Sequence, residues 1–151
     1  MKVIAYKNLE GFTTICVPVN DIQYVIENDI PGNCEYIEID FENLPHEHED
    51  FFNAWQIENN NIVINMNKAK EITKTRLRME REPLFLEQDI LFQKKQELGL
   101  DTSEIVTEKN RLRNITNLVD TCDTLQELRS LKVQSSTLIT NSILLNIPTS
   151  E

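Results

Sequence analysis

Two histidines two positions apart, His46 and His48, lie in an acidic stretch with Glu47, Glu49 and Asp50. Imidazole nitrogens beside carboxylates are the donors a divalent cation takes, and a histidine oriented by an acid is also the base of a nucleophilic triad. No third metal ligand is placed by the sequence. These are the chain's only two histidines, so a triad would have to be built here, and no Gly-x-Ser-x-Gly accompanies them. The three glycines (Gly11, Gly32 and Gly99) form no phosphate-cradling loop, which sets aside P-loop and dinucleotide chemistry. Carboxylates are abundant, but nothing places two across a cleft as glycoside hydrolysis requires. Cys16, Cys34 and Cys122 are scattered, with no Cys-x-x-Cys, and read as reduced thiols filling apolar space. The expectation is a chain without catalysis, cofactor or resident metal.

Other residues are better suited to contact than to reaction. Phe51, Phe52 and Trp55 form the densest aromatic group; they are either sheet core or a platform for a partner. Leu77, Leu84, Leu91 and Leu98 recur every seven residues, with Phe85 and Phe92 beside them and Met79, Leu86 and Ile90 widening the apolar face. A proline between the first and third leucines and the breadth of that face favour a helical hairpin over a two-stranded seam, with an oligomeric helix interface as the alternative. Lys68, Lys70, Lys74, Arg76, Arg78 and Arg81 form the sharpest basic cluster, offset by Glu71 and Glu80. It is expected to dock on the acidic front half, to lie in solvent, or to take an acidic partner. The candidate partner-binding residues are therefore Leu77, Leu84, Leu91, Phe92, Arg76, Arg78, Arg81, Phe52 and Trp55.

The elements that must position these residues follow from periodicity. Runs at 2–6 and 13–17, joined by a turn containing Gly11, read as a β-hairpin. Ile22, Val25 and Ile26 sit at i, i+3 and i+4, which predicts a short helix capped by Asn20 or Asp21. Pro31-Gly32 marks the turn after it, and alternation at 35–41 predicts a strand with Ile37, Ile39 and Phe41 on one face. Residues 43–50 read as a polar loop. Residues 51–57 and 62–64 flank an Asn-rich turn and predict a second hairpin. A helix is expected from Asn65 or Asn67 to Leu98, kinked or broken near Arg81-Glu82 by Pro83. Gly99 closes it, and Asp101 with Glu104 suggests a capping box for an antiparallel helix that turns Ile105, Leu112, Ile115 and Val119 inward and Lys109, Arg111 and Arg113 outward. A last short helix is read at 124–131, then a Ser/Thr-rich extended tail whose apolar run, Ile143 to Ile147, is expected to pair or dock.

The charge divides sharply. Residues 1–66 hold 2 Lys/Arg against 12 Asp/Glu, while residues 67–151 hold 13 of each, so the whole formal charge of −10 lies in the front half. Phosphate would be repelled there, which argues against nucleic acid. No apolar run approaches the roughly 20 residues of a membrane span, and the apolar stretch near Met1 is too short for a signal peptide; the chain is expected to stay where it is made. Together these patterns predict an α+β protein: a small antiparallel β-rich N-terminal unit over 1–66, a C-terminal helical hairpin over 67–131, and an extended tail over 132–151.

Two stretches carry a resemblance. Asn28-Asp29-Ile30-Pro31-Gly32, Tyr36-Ile37, Leu44-Pro45 and Phe52-Asn53-Ala54-Trp55 resemble a module of small tailed-bacteriophage proteins. Lys68-Ala69-Lys70, Arg76-Leu77-Arg78, Arg81-Glu82-Pro83-Leu84, Asp89 and Leu91, followed by Lys109 and Arg111-Leu112-Arg113-Asn114-Ile115, are similar to the C-terminal part of tail-fibre assembly proteins, with Asn114 where an acid is more usual. The resemblance covers about residues 20–131. It implies an accessory protein that binds a tail-fibre or other virion component without chemistry, as an assembly chaperone in the host cytoplasm or a minor part of the virion tail, with a homo-oligomer as an open option. The acidic front half leaves a host-directed inhibitor open as an alternative, and the His46/His48 loop a metal-binding one.

Overall fold

The structure is a computed structural model and describes residues 1–19 and 21–134. Asn20, one of the two expected caps, and the apolar tail run lie outside the described residues. The fold is α+β, with small antiparallel sheets followed by helices. The chain divides into two compact units, Met1–Ile72 and a second beginning at Thr73.

In the first unit, β1 (Lys2–Lys7) and β2 (Thr13–Cys16) form the expected hairpin. The Asn8 side chain accepts from the amides of Glu10 and Phe12, and Gly11 takes φ +85°, where a side chain would be strained. Helix α1 (Ile22–Asn28) has Asp21 at its cap position, but without a side-chain capping bond. Strand β3 (Tyr36–Asp40) joins the far side of β1, giving the order β2-β1-β3. Alternation then sorts the two faces. Val3, Ala5, Ile37 and Ile39 pack with Leu44, Trp55 and Ile62 on one side; Ile4 packs with Val25 and Ile30 on the other. Each fully buried aliphatic side chain contributes about 1.5–3 kcal/mol.

Phe41 departs from the expected strand face. β3 ends at Asp40, the Phe41 amide donates to the Met1 carbonyl at 2.8 Å, and the chain tightens into a 3-10 turn, Phe41–Asn43, that leaves Phe41 exposed. The stretch read as a polar loop and the start of a strand is instead 3-10 helix, His46–Ala54, kinked at His48 and Phe51. The second hairpin is therefore shorter than expected: β4 (Trp55–Glu58) and β5 (Asn61–Ile64), with Asn59 and Asn60 at φ 48° and 61° as the turn chemistry requires. The Thr13 hydroxyl donates to the Trp55 carbonyl at 2.8 Å and ties this hairpin to β2.

Helix α2 (Met66–Glu97) starts where Asn65 caps it, accepting from the Lys68 amide at 3.0 Å. It runs through Pro83 without the break that was one of the two expectations there. One missing donor is tolerated because the proline ring lies on an exposed face and the turns on either side are held by packing. Leu100 N–H to Lys95 O and Gly99 N–H to Gln96 O close the helix in a Schellman motif, with Gly99 at φ +64°.

Helix α3 (Ser103–Asn114) lacks the expected capping box: Thr102 occupies the cap without a side-chain bond, and Asp101 accepts from the Ser103 amide and hydroxyl instead. Arg81 meets the carbonyls of Leu112 and Arg113 while Asp89 meets Lys109, so α3 runs antiparallel to α2. Ile105, Leu112, Ile115 and Val119 face inward as expected. A 3-10 turn, Ile115–Thr121, leads to α4 (Leu125–Ser130), which carries a complete capping box between Thr124 and Glu127.

Candidate protein-binding surfaces

Phe52 and Trp55 come together. Their rings lie 4.8 Å apart in a tilted stack, Trp55 is buried at 3% exposure, and its indole N–H donates to the His48 carbonyl at 3.2 Å. Phe52 is 39% exposed. The two rings help line an open hollow of about 360 Å³ with Ile15, Phe41, Leu44, His46 and Glu49.

Phe41 and His46 form its other lip, with ring centroids 4.5 Å apart. His46 is pinned at both nitrogens: Nε2 lies 2.7 Å from the Phe41 carbonyl and Nδ1 lies 3.2 Å from Glu49 Oε1. Two acceptors favour the doubly protonated ring, and the Phe41 carbonyl first, then Glu49, hold the imidazole above its ordinary pKa. Both ring nitrogens are thus already engaged within the fold. Among the described residues, no group of three His, Cys, Asp or Glu side chains stands close enough to hold one. The hollow is an apolar recess with the hydrogen-bonded His46 and Glu49 at its mouth, suited to receiving a side chain.

A larger cleft of about 900 Å³ in the same unit is lined by Lys7, Glu35 and Lys68 and by the amides of Gln56, Asn59 and Asn60. It holds no histidine; Thr13, Cys34, Tyr36, Ile37, Trp55 and Ile57 also line it, so its surface is mixed polar and apolar.

The remaining expected contact residues belong to the second unit and lie mostly inward. Leu77 is fully buried; Leu84, Leu91 and Phe92 are half-buried, and the Lys109 ammonium sits 5.3 Å from the Phe92 ring. Arg76 donates to the carbonyls of Leu128 and Leu131 at 3.1 and 2.8 Å and pairs with Glu80. Arg81 donates to Leu112 and Arg113 at 3.0 Å each and lies over the Phe85 ring. These two arginines satisfy the carbonyl ends of neighbouring helices, which accounts for two of the six members of the basic cluster. Arg78 is exposed. Lys109 and Arg111, expected outward, are half-buried, paired with Asp89 and with Glu108.

Sequence reasoning missed Phe41 and His46 as lips of one recess, because both are brought there by 3-10 turns with no periodic signature. It also missed which row of α2 remains uncovered: Met79, Leu86 and Ile90 are 70%, 63% and 46% exposed.

No protein-family model, curated protein or solved structure matches the chain. The likeness to phage proteins therefore stands on the residues quoted for it. No helix among the described residues is long and apolar enough to cross a membrane.

Proposed function

We propose that the chain is a non-enzymatic accessory protein of a tailed bacteriophage that binds a tail-fibre or other tail component, as an assembly chaperone in the host cytoplasm or as a minor part of the virion. The observation that carries the binding role is the recess between Phe41 and Phe52. Two aromatic rings more than a third exposed, over a floor of Ile15, Leu44 and Trp55, make an anchor site of the kind that dominates protein interfaces. The phage assignment rests on the module resemblance over residues 20–131.

An acidic inhibitor that mimics nucleic acid draws less support. Of the carboxylates between 35 and 50, Asp40 pairs with Lys2, Glu42 with the N-terminal amine and Glu49 with His46, which breaks up a continuous negative stripe.

Quantitative mass spectrometry of gradient-purified particles, with affinity capture from infected-cell lysate, tests the reading. A fixed copy number per particle supports the structural role; absence from particles with capture of a tail protein supports the chaperone. Absence from particles with no tail protein captured overturns both. Phe52→Ser should abolish the capture, while circular dichroism shows the chain still folded.

A further inference from the structure

Helix α2 carries two apolar rows, and among the described residues only one is covered. Leu77, Leu84 and Leu91 turn toward the packed side of their unit, with Phe92. Met79, Leu86 and Ile90 form a second row at i, i+7 and i+11, completed by the exposed ring of Pro83 at i+4. At 100° per residue these four lie within about 60° of one another around the helix. The row is continuous over some three turns, and more than half of the Met79 and Leu86 surfaces is open.

The charges beside the row say what fits on it. Glu80, Glu82, Glu87 and Asp89 flank its centre. Two of these are matched within the unit, Glu80 by Arg76 and Asp89 by Lys109. Glu82 and Glu87 are exposed, one on each side of Leu86. A second copy of the same helix fits poorly. An antiparallel pairing about the middle of the row sets Glu82 against Asp89 and Glu80 against Glu87, and a parallel one sets Glu82 against Glu87. A partner carrying lysines or arginines beside its own apolar row meets both carboxylates with opposite charge.

We propose that the outer row of α2, Met79–Pro83–Leu86–Ile90, seats an amphipathic helix from a protein partner whose apolar stripe is flanked by basic residues. The seat is independent of the phage reading and of the recess in the first unit. Its recognition mode is helix against helix, with Leu86 as the central anchor and Glu82 and Glu87 setting partner choice.

The test uses the full chain and two fluorescently labelled synthetic helical peptides with the same leucine row, one flanked by lysines and one by glutamates, followed by anisotropy. The lysine-flanked peptide should bind at least tenfold more tightly, and the preference should shrink as salt is raised. Leu86→Ser should weaken the lysine-flanked peptide at least tenfold, while Phe52→Ser leaves it unchanged. The double change Glu82→Lys with Glu87→Lys should reverse the preference; since both positions are exposed, this variant keeps the test open if Leu86→Ser disturbs the fold.

Equal binding of both peptides, or lysine-peptide binding that survives Leu86→Ser and the charge reversal, overturns the proposal. So does a dimer in sedimentation that Leu86→Ser dissociates, which would make a second copy the occupant. Tight peptide binding that appears only after removal of residues 135–151 would overturn it in favour of the chain's own tail as the occupant.

Discussion

The Arg111 guanidinium grips the carboxylate of Glu108 one turn before it through two bonds, 2.7 and 2.6 Å long, and Glu108 is almost wholly buried. The Glu108 carboxylate in turn raises the Arg111 pKa. A buried carboxylate left without its cation is costly, whereas removing both partners together leaves an apolar site. Arg111→Met should destabilise the chain by about 1–3 kcal/mol, reduced from the fully buried case because Arg111 keeps contact with water. Arg111→Met with Glu108→Met should recover at least half of that loss. Urea denaturation of the four proteins of the cycle measures it, and a double variant as weak as the single would refute the account.

Pro83 lies inside α2 rather than at its start, so it costs a backbone hydrogen bond to the Met79 carbonyl. Pro83→Ala should therefore stabilise the protein, by roughly 1–3 kcal/mol in urea denaturation. A loss of stability would mean that the proline shapes the helix in a way its neighbours need.

His46 gains two acceptors on folding, the Phe41 carbonyl and Glu49, with Glu42 also contributing, and its pKa is raised. A group raised on folding binds its proton more tightly in the native state. Its contribution is fully present below the unfolded value and is lost as the pH climbs through the raised native one. Urea midpoints should accordingly fall in the parent as the pH rises above the ordinary imidazole value of about 6.5, and this decline should be shallower in His46→Asn. Parallel pH profiles for the two proteins would rule His46 out as the source.

Asn59 and Asn60 both occupy the left-handed region, at φ 48° and 61°. Asn60→Val should cost about 1–2 kcal/mol, since a β-branched side chain tolerates that region poorly, while Asn60→Gly should be close to neutral. Thermal melts of both variants compare them directly; equal stability would show that the turn readily adopts another geometry.

Much of the fold could be read from local chemistry. Alternation at Val3/Ala5 and Ile37/Ile39, the Asn59-Asn60 turn, the Asn65 cap and the Gly99 terminus each follow from residues a few positions apart. The 3-10 run His46–Ala54 could not, because it is held by interactions beyond its own length and pattern: Leu44 and Phe51 are buried, Thr13 fixes the Trp55 carbonyl, and the Trp55 indole reaches back to His48. Pattern alone also could not say which apolar row of α2 is covered. Leu77 and Met79 look equally suited to burial until the rest of their unit is in place, and then one is sealed and the other stands 70% exposed. The arginines misled for a related reason: a long cation read as a surface charge can reach a helix end, as Arg76 reaches Leu128 and Leu131.

Trp55 is the chain's single tryptophan, and it sits inside the first unit, stacked on Phe52 and bonded to His48. Indole emission therefore views one half of the molecule, while far-ultraviolet circular dichroism is weighted toward the helices of the other. The chain carries its own optical label for asking whether its two units melt as one cooperative body or in sequence. Because Phe52 at the mouth of the recess lies against that label, the same emission should shift when a side chain enters.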